Sequence, residues 1–350
     1  MNNIFPTLIR RSAAACILAF SLSSCESVFD DGLPECRTQH RLTFIYDYNM
    51  KFADAFNSEV NSVNVWAFDR QGTPVWKSQA SGEALRNKDF FIDIPLEPGY
   101  YDFVAWCGLE DNPGFSLLSD SPSSPSALGI ELLLQGATKA GNQPTLFSDT
   151  KLSGLYHALA ENVEITYNPD ANETRTVELS LVKDTKYIKV LLQNLDGKEM
   201  GKDDFSIFIT ADNSQLAFDN DVISGTPVFR YDPWMISSGQ ASTPGSDGGT
   251  TTSVSSVLAE MSTSRLMEDA ESFLTVIRNS DGKEIIRIPF IQYLLLVKGN
   301  YRPMGNQEYL DRQDEYSMTF FIDKGMNWYS NIGIYINSWH VVPQQDTPLH

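Results

Sequence analysis

Apolar residues along this chain recur at every second position far more often than at helical spacing. Leu42-Thr43-Phe44-Ile45-Tyr46 is rich in β-formers, and residues 60–68 alternate with Val63, Val65 and Ala67 on one face. Asp69-Arg70-Gln71-Gly72-Thr73-Pro74 reads as a turn, and Val75-Trp76-Lys77 begins the returning strand. Residues 90–94 and 100–106 are further strands, joined by a turn over 95–99. Residues 49–57 predict the one short helix of this region, with Met50, Phe52 and Phe56 as its apolar contacts. Residues 163–167 and 176–182 predict a long hairpin around Asn168-Pro169-Asp170. Two stretches, 111–127 and 136–144, predict surface insertions; the first is rich in Pro and Ser.

The second half repeats the style. Residues 187–195 are apolar and β-branched, and 205–210 alternate. Residues 237–253 are Ser, Gly, Thr and Pro with almost no apolar member, and predict a mobile segment. Residues 273–277 and 285–290 flank Asn279-Ser280-Asp281-Gly282, a hairpin signal. Residues 291–297 read either as a helical turn or as a buried strand, and 318–322 and 332–342 close the chain as strands. No helix-period segment is long enough to cover a parallel sheet. The predicted class is all-β: two tandem β-sandwich domains with Greek-key connections, over 36–182 and 183–350.

The N-terminus departs from this pattern. Arg10 and Arg11 precede an apolar stretch, Ala13 to Phe20, too short to span a bilayer. A basic region followed by a short apolar one predicts a secretory signal over 1–24. Leu22-Ser23-Ser24-Cys25 has the form of a lipobox, in which small residues admit the peptidase and the Cys25 thiol takes diacylglycerol. The alternative is an ordinary signal peptide with an incidental cysteine. Two or three acyl chains hold a protein stably, where one would not. Residues 25–35 predict an acidic tether, either a solvated linker or an export signal.

Losing Arg10 and Arg11 takes Lys+Arg from 26 to 24 against 45 Asp+Glu, a mature net charge of −21. Such a surface argues against nucleic acid and anionic lipid as partners. Loss of Cys16 and acylation of Cys25 leave Cys36 and Cys107, which pair in an oxidising compartment or stay as two buried thiols. The histidines His40, His157, His340 and His350 have no metal-ligand spacing. Nucleotide, zinc-protease and hydrolase motifs are absent. Asp47-Tyr48-Asn49-Met50-Lys51 begins like a calcium loop, but Lys51 stands where an oxygen ligand is needed. Asp203-Asp204 and Asp219-Asn220-Asp221 read as solvated loops rather than paired catalytic carboxylates. His157 and His340 read as structural histidines, and Trp66, Trp76 and Trp106 as core residues within strands. No enzyme activity, cofactor, metal or small-molecule substrate is expected.

Several stretches together resemble a family. These are Tyr48-Asn49-Met50 with Ala53-Asp54-Ala55-Phe56, Val63-Asn64-Val65-Trp66-Ala67-Phe68-Asp69 with Gly72, and Tyr101-Asp102-Phe103-Val104-Ala105-Trp106. Leu155-Tyr156-His157 with Val163-Glu164-Ile165, Ser262-Thr263-Ser264-Arg265-Leu266 and Ile336-Asn337-Ser338-Trp339 continue the series, although a glycine is more usual at Ser338. In this order behind a lipobox, the mature chain resembles the FimB/Mfa-type lipoproteins, anchor and assembly subunits of type V fimbriae. The resemblance implies two transthyretin-like sandwiches, an outer-membrane location and a fimbrial stalk subunit as partner, met through β-strand contact. It also implies that stalk subunits are cut after an arginine, for which Arg37 and Arg41 are the nearest residues, whereas an anchor stays uncut. Alternatives are a stalk or tip subunit matured from a lipoprotein precursor, and a surface glycan-binding lipoprotein.

Overall fold

The computed structural model describes residues 38–342 other than 111, 134–135, 141–142, 169–171, 245–250 and 302. The protein is mostly β, with 47% strand against 11% helix, the class expected from the alternation.

Strand Gln39–Ile45 runs parallel to Thr174–Ser180 and antiparallel to Ile92–Asp93, forming a three-stranded sheet. A second sheet has five strands in the order Val182–Lys183, Tyr156–Ile165, Gly99–Cys107, Ser62–Asp69, Pro74–Ser81. Leu42, Phe44 and Leu179 from the first meet Val63, Val65, Ala67 and Phe103 from the second in one core. Side chains alternate across a strand. Trp66 and Phe68 therefore point the other way, with Val104 and Trp106, into a second core. The middle of the five-stranded sheet is buried on both faces, which is why Trp66 and Trp106 pack inside rather than facing a ligand. Trp76, on the edge strand, is half-buried and meets Phe103 edge-on at 6.3 Å.

The second core lies among two six-stranded sheets. One runs Met235–Pro244, Thr251–Thr263, Lys186–Asn194, Glu315–Ile322, Ile334–Ile336, Trp339–Val341. The other runs Lys283–Pro289, Phe273–Arg278, Phe205–Ala211, Phe229–Tyr231, Gln143–Ser148, Gly136–Ala140. Alternation again selects the inner face: Ile188, Val190 and Leu192 from one, Phe205, Ile207 and Ile209 from the other. A small sheet joins Phe115–Leu117 and Ile130–Leu132 to Gln215–Leu216. Chain from before Lys183 thus completes sheets whose other strands follow residue 205. The predicted hairpin at 279–282 forms, with Gly282 at a φ of 69° that glycine adopts without strain.

Four expectations are corrected. The helix expected over 49–57 is reduced to Phe56–Glu59. The Asn49 amide donates to the carbonyls of Tyr46 and Ala53, both at 2.9 Å, and Asp54 Oδ1 accepts from the amides of Tyr46 and Phe56. These side-chain bonds offer the backbone an alternative to a helix. The insertion expected over 136–144 is strand on both sides of 141–142, which lie outside the described residues: Gly136–Ala140 and Gln143–Ser148 pair antiparallel. Residues 163–167 and 176–182 are not a hairpin, because Tyr156–Ile165 pairs with Gly99–Cys107 while Thr174–Ser180 crosses to the other sheet. The segment 237–253, expected to be mobile, is largely a two-stranded ribbon, Met235–Pro244 on Thr251–Thr263, with residues 245–250 outside the described set. Its small polar residues need no apolar partner, because ladder bonds to the neighbouring strand satisfy the backbone. The open choice at 291–297 resolves as helix Phe290–Leu296, which buries Phe290, Ile291 and Leu294.

Candidate functional site

Cys25, Cys36 and Arg37 lie outside the described residues. Cys107 is wholly buried at the end of Gly99–Cys107, and burial pushes its thiol pKa up. Arg41 sits inside Gln39–Ile45 with its guanidinium 3.8 Å from the Phe91 ring centroid. His157 is buried, lies tilted against Trp106 with ring centroids 4.6 Å apart and shares a 2.8 Å hydrogen bond with the Phe218 carbonyl. Burial pulls its pKa down to about 4. His340 lies against Tyr335 at 4.8 Å, in the middle of the last described strand, Trp339–Val341.

The most elaborate polar construction lies where the two cores meet. Strand Lys186–Asn194 buries every second residue, and that parity puts Lys186 inward with Ile188, Val190 and Leu192. Asp184 falls on the same parity, just ahead of the strand, and is also fully buried. An unpaired charge in such a place costs several kcal/mol, on the order of the ionic desolvation penalty, so partners are required. Lys186 Nζ donates to the Asp311 carbonyl at 2.7 Å and lies 3.9 Å from Asp314 Oδ1. Asp184 Oδ1 accepts from the Asn220 amide at 2.9 Å and lies 4.0 Å from Arg265 Nε.

Arg265 is the hub. Its guanidinium grips Asp311 with two prongs, Nε to Oδ1 at 2.9 Å and Nη2 to Oδ2 at 2.8 Å, and its Nη1 donates to the Asn220 carbonyl. Charge-assisted, two-pronged bonds of this kind are the strong ones. Asn220 reaches both partners because it holds a left-handed backbone, φ 70°. The solvated loop expected at 219–221 therefore turns its central residue into the protein, where it is buried. Gln307, one turn ahead of Asp311 on helix Asn306–Arg312, donates to Asp311 Oδ1 at 2.9 Å.

The network reaches the first core through Asp314. Its Oδ2 accepts from Tyr46 OH at 2.9 Å and from Lys183 Nζ at 3.3 Å. Lys183 also pairs with Glu59 at 3.0 Å, and Glu59 accepts from Tyr156 OH at 3.3 Å. Burial raises the Tyr46 phenol pKa, with the Asp314 charge adding to it, so this hydroxyl is a permanent donor. Burial likewise pushes the Asp184 carboxyl up to about 7. A cleft of about 660 Å3 opens above the network, floored by Lys186 and Ser262. On its rim the Arg312 guanidinium lies 3.9 Å from the Tyr48 ring centroid and 4.9 Å from that of Phe52.

Three cations, Arg265, Lys186 and Lys183, serve the four acids Asp184, Asp311, Asp314 and Glu59, and among the described residues no group of three or more His, Cys, Asp or Glu is placed to hold a metal ion. The arrangement is a joint that fixes one core against the other. The 48–56, 155–157 and 262–266 stretches, far apart in sequence, meet around it. Sequence reading missed Asp184, Lys186, Asp311 and Asp314. The signal available was parity: Lys186 stands on the apolar phase of an alternating strand.

The chain matches the family model of fimbrillin-A associated anchor proteins Mfa1 and Mfa2 over residues 33–345, and it belongs to that family. A search of the curated proteins returned no match. An adhesin candidate from Bacteroides thetaiotaomicron VPI-5482 is similar at 32% identity and TM-score 0.73, covering 89% of this chain and 99% of that one. A candidate polysaccharide-binding protein from the same organism is similar at 26% identity and TM-score 0.70, covering 88% and 99%. The fimbrial anchor protein Mfa2 from Porphyromonas gingivalis shares the fold, with 18% identity and TM-score 0.62 over 88% of this chain and 100% of that one. Among the described residues no helix is long and apolar enough to cross a membrane.

Proposed function

We propose that this protein is the lipid-anchored base of a type V fimbria, acylated at Cys25 after removal of residues 1–24. It holds the first stalk subunit by β-strand contact at the outer membrane, limits fibre growth and carries no catalytic activity. Residues 25–35 act as the tether, and 36–182 and 183–350 as two modules that share strands, since 115–148 complete sheets of the second. Cys107, a free buried thiol in the structure, pairs with Cys36 in the oxidising compartment outside the cell. The observation that supports the reading best is a lipobox, Leu22-Ser23-Ser24-Cys25, just ahead of a family match that starts at residue 33.

The test is acyl labelling of whole cells combined with gene deletion. Wild type should incorporate an alkyne palmitate at full mature length and Cys25→Ala should not. Loss of the gene should shed fibres into the medium. Fibres that stay attached and normal in length after deletion would refute the anchor role. Cleavage after Arg37 or Arg41 in mature protein would favour a stalk or tip subunit instead.

A further inference from the structure

A sheet edge lets one chain add a strand to another, and proteins guard such edges with charge, proline or short length. Among the described residues the longer edge strands are guarded. Pro74–Ser81 carries Lys77, Thr174–Ser180 carries Arg175 and Glu178, Gly136–Ala140 carries Lys139, and Lys283–Pro289 carries Lys283, Glu284 and Arg287. Most of the other edges, Trp339–Val341 included, are three residues or fewer. Met235–Pro244 is the exception. It is ten residues long, has no charged member and meets proline only at its last position.

This strand pairs with Thr251–Thr263 on one side only, so about half of its backbone N–H and C=O groups face away from the sheet. Two further features show the sheet stopping short. Parity puts Ile236, Ser238 and Gln240 on the core face beside the buried Ala259, Val257 and Ser255, yet Ser238 and Gln240 are exposed. The core face therefore runs out to solvent at this edge. The ribbon also outruns its neighbour. Lys186–Asn194 flanks only 255–263, so 241–244 and 251–254 continue as a pair of strands, a width that is marginal in water by itself.

We propose that the open edge of Met235–Pro244 is where the first stalk subunit docks, adding one extended, uncharged segment of its own as a further strand. This rests on the anchor reading above and names its point of contact. Main-chain bonds along the edge supply the grip. The edge also sets the chemistry of its occupant. A mature net charge of −21 repels another acidic chain over most of the surface. In Met235–Pro244 and Thr251–Thr263 together, Glu260 is the single charged residue, so a neutral strand approaches without burying a charge. Ser237, Ser238, Gly239 and Ala241 are small, which leaves room for β-branched or aromatic side chains on the added strand.

The test has two arms. In fibre-producing cells, the photo-crosslinking residue p-benzoylphenylalanine is placed at Gln240 and, for comparison, at Glu284 on the guarded edge. Position 240 should give a crosslinked band that mass spectrometry assigns to a fimbrial subunit, and position 284 should give about a tenth as much or less. In the second arm, full-length mature protein in detergent is immobilised and offered the fibres shed by cells that lack the gene. Wild type should retain them. Ser238→Lys combined with Gln240→Lys puts charge at exposed positions, so the melting temperature should hold while retention falls about tenfold or more. Equal retention by the variant, or a crosslink at position 240 that is missing, matched at 284 or made to a second copy of this chain, overturns the edge and leaves the anchor reading standing. Wild type that retains no fibres, or fibres that are not shed on deletion, overturns the anchor reading and this edge with it.

Discussion

Arg265 and Asp311 are joined by two hydrogen bonds of 2.9 and 2.8 Å, with both side chains nearly excluded from solvent. The pair bridges strand Thr251–Thr263 and helix Asn306–Arg312 through the residues just beyond or within them. Removing one member of a buried pair strands the other. Arg265→Met is therefore expected to lower stability by about 3–5 kcal/mol, read as a shift in the urea midpoint. Adding Asp311→Leu should recover a sizeable part, because the orphaned carboxylate is then gone. A double variant as unstable as the single one would show that the pair's charge is not what matters.

His157 gives the protein an acid sensitivity. Its folded pKa is pulled by burial to about 4 from an ordinary 6.5. As pH falls from about 6.5 toward 4, the unfolded chain binds a proton that the folded one refuses, and stability is lost over that window. Roughly 2 kcal/mol should disappear by about pH 5. Asp184 works in the opposite sense. Its raised pKa means the folded chain holds a proton that the unfolded one has released, so its contribution is present at low pH and is lost as pH rises toward 7. Urea midpoints measured across this range for wild type and His157→Gln separate the two: the variant should lose the acid-side decline. A decline of equal size in the variant would remove His157 as its source.

Ser338 occupies a left-handed position, φ 70°, in the two-residue turn between Ile334–Ile336 and Trp339–Val341. A serine there carries a cost that glycine does not, and Asn-Gly is the favoured pair for such a turn. Ser338→Gly should stabilise the protein by ~0.5–1 kcal/mol, visible as a raised melting temperature. A lowered one would mean that the serine hydroxyl contributes more than its backbone costs.

Cys107 offers a direct test of the proposed disulfide. Being wholly buried, it should resist alkylation in the native protein whatever its redox state. After denaturation without reductant, mature protein should still take up no iodoacetamide, and both Cys36 and Cys107 should label once reductant is added. Labelling of Cys107 in the unreduced, denatured chain would count against the bond.

The all-β class was legible because strand alternation is a local property: Val63, Val65 and Ala67 share a face and a core, as their spacing demands. The Asn279–Gly282 turn was legible for the same reason. Elements set by tertiary partners were not. The 49–57 segment has apolar residues at helical distances, yet Asn49 and Asp54 hold its backbone in turns. The Ser- and Thr-rich run at 237–253 lacks an apolar face, yet each of its strands satisfies the other's backbone. The joint depends on residues brought together across the whole chain, from Tyr46 to Asp314, a sequence separation of 268. Only Lys186, out of place in an apolar phase, marked it in advance.

Strand Gln39–Ile45 is the first element of the described residues and runs parallel to Thr174–Ser180 through seven matched residues. A pull on the chain at Thr38 along the strand axis loads those evenly spaced, slanted bonds in shear. They resist as a group, unlike the rungs of a hairpin peeled from one end. A tether leading into this strand would thus transmit a mechanical load to the sandwich at a point built to bear it.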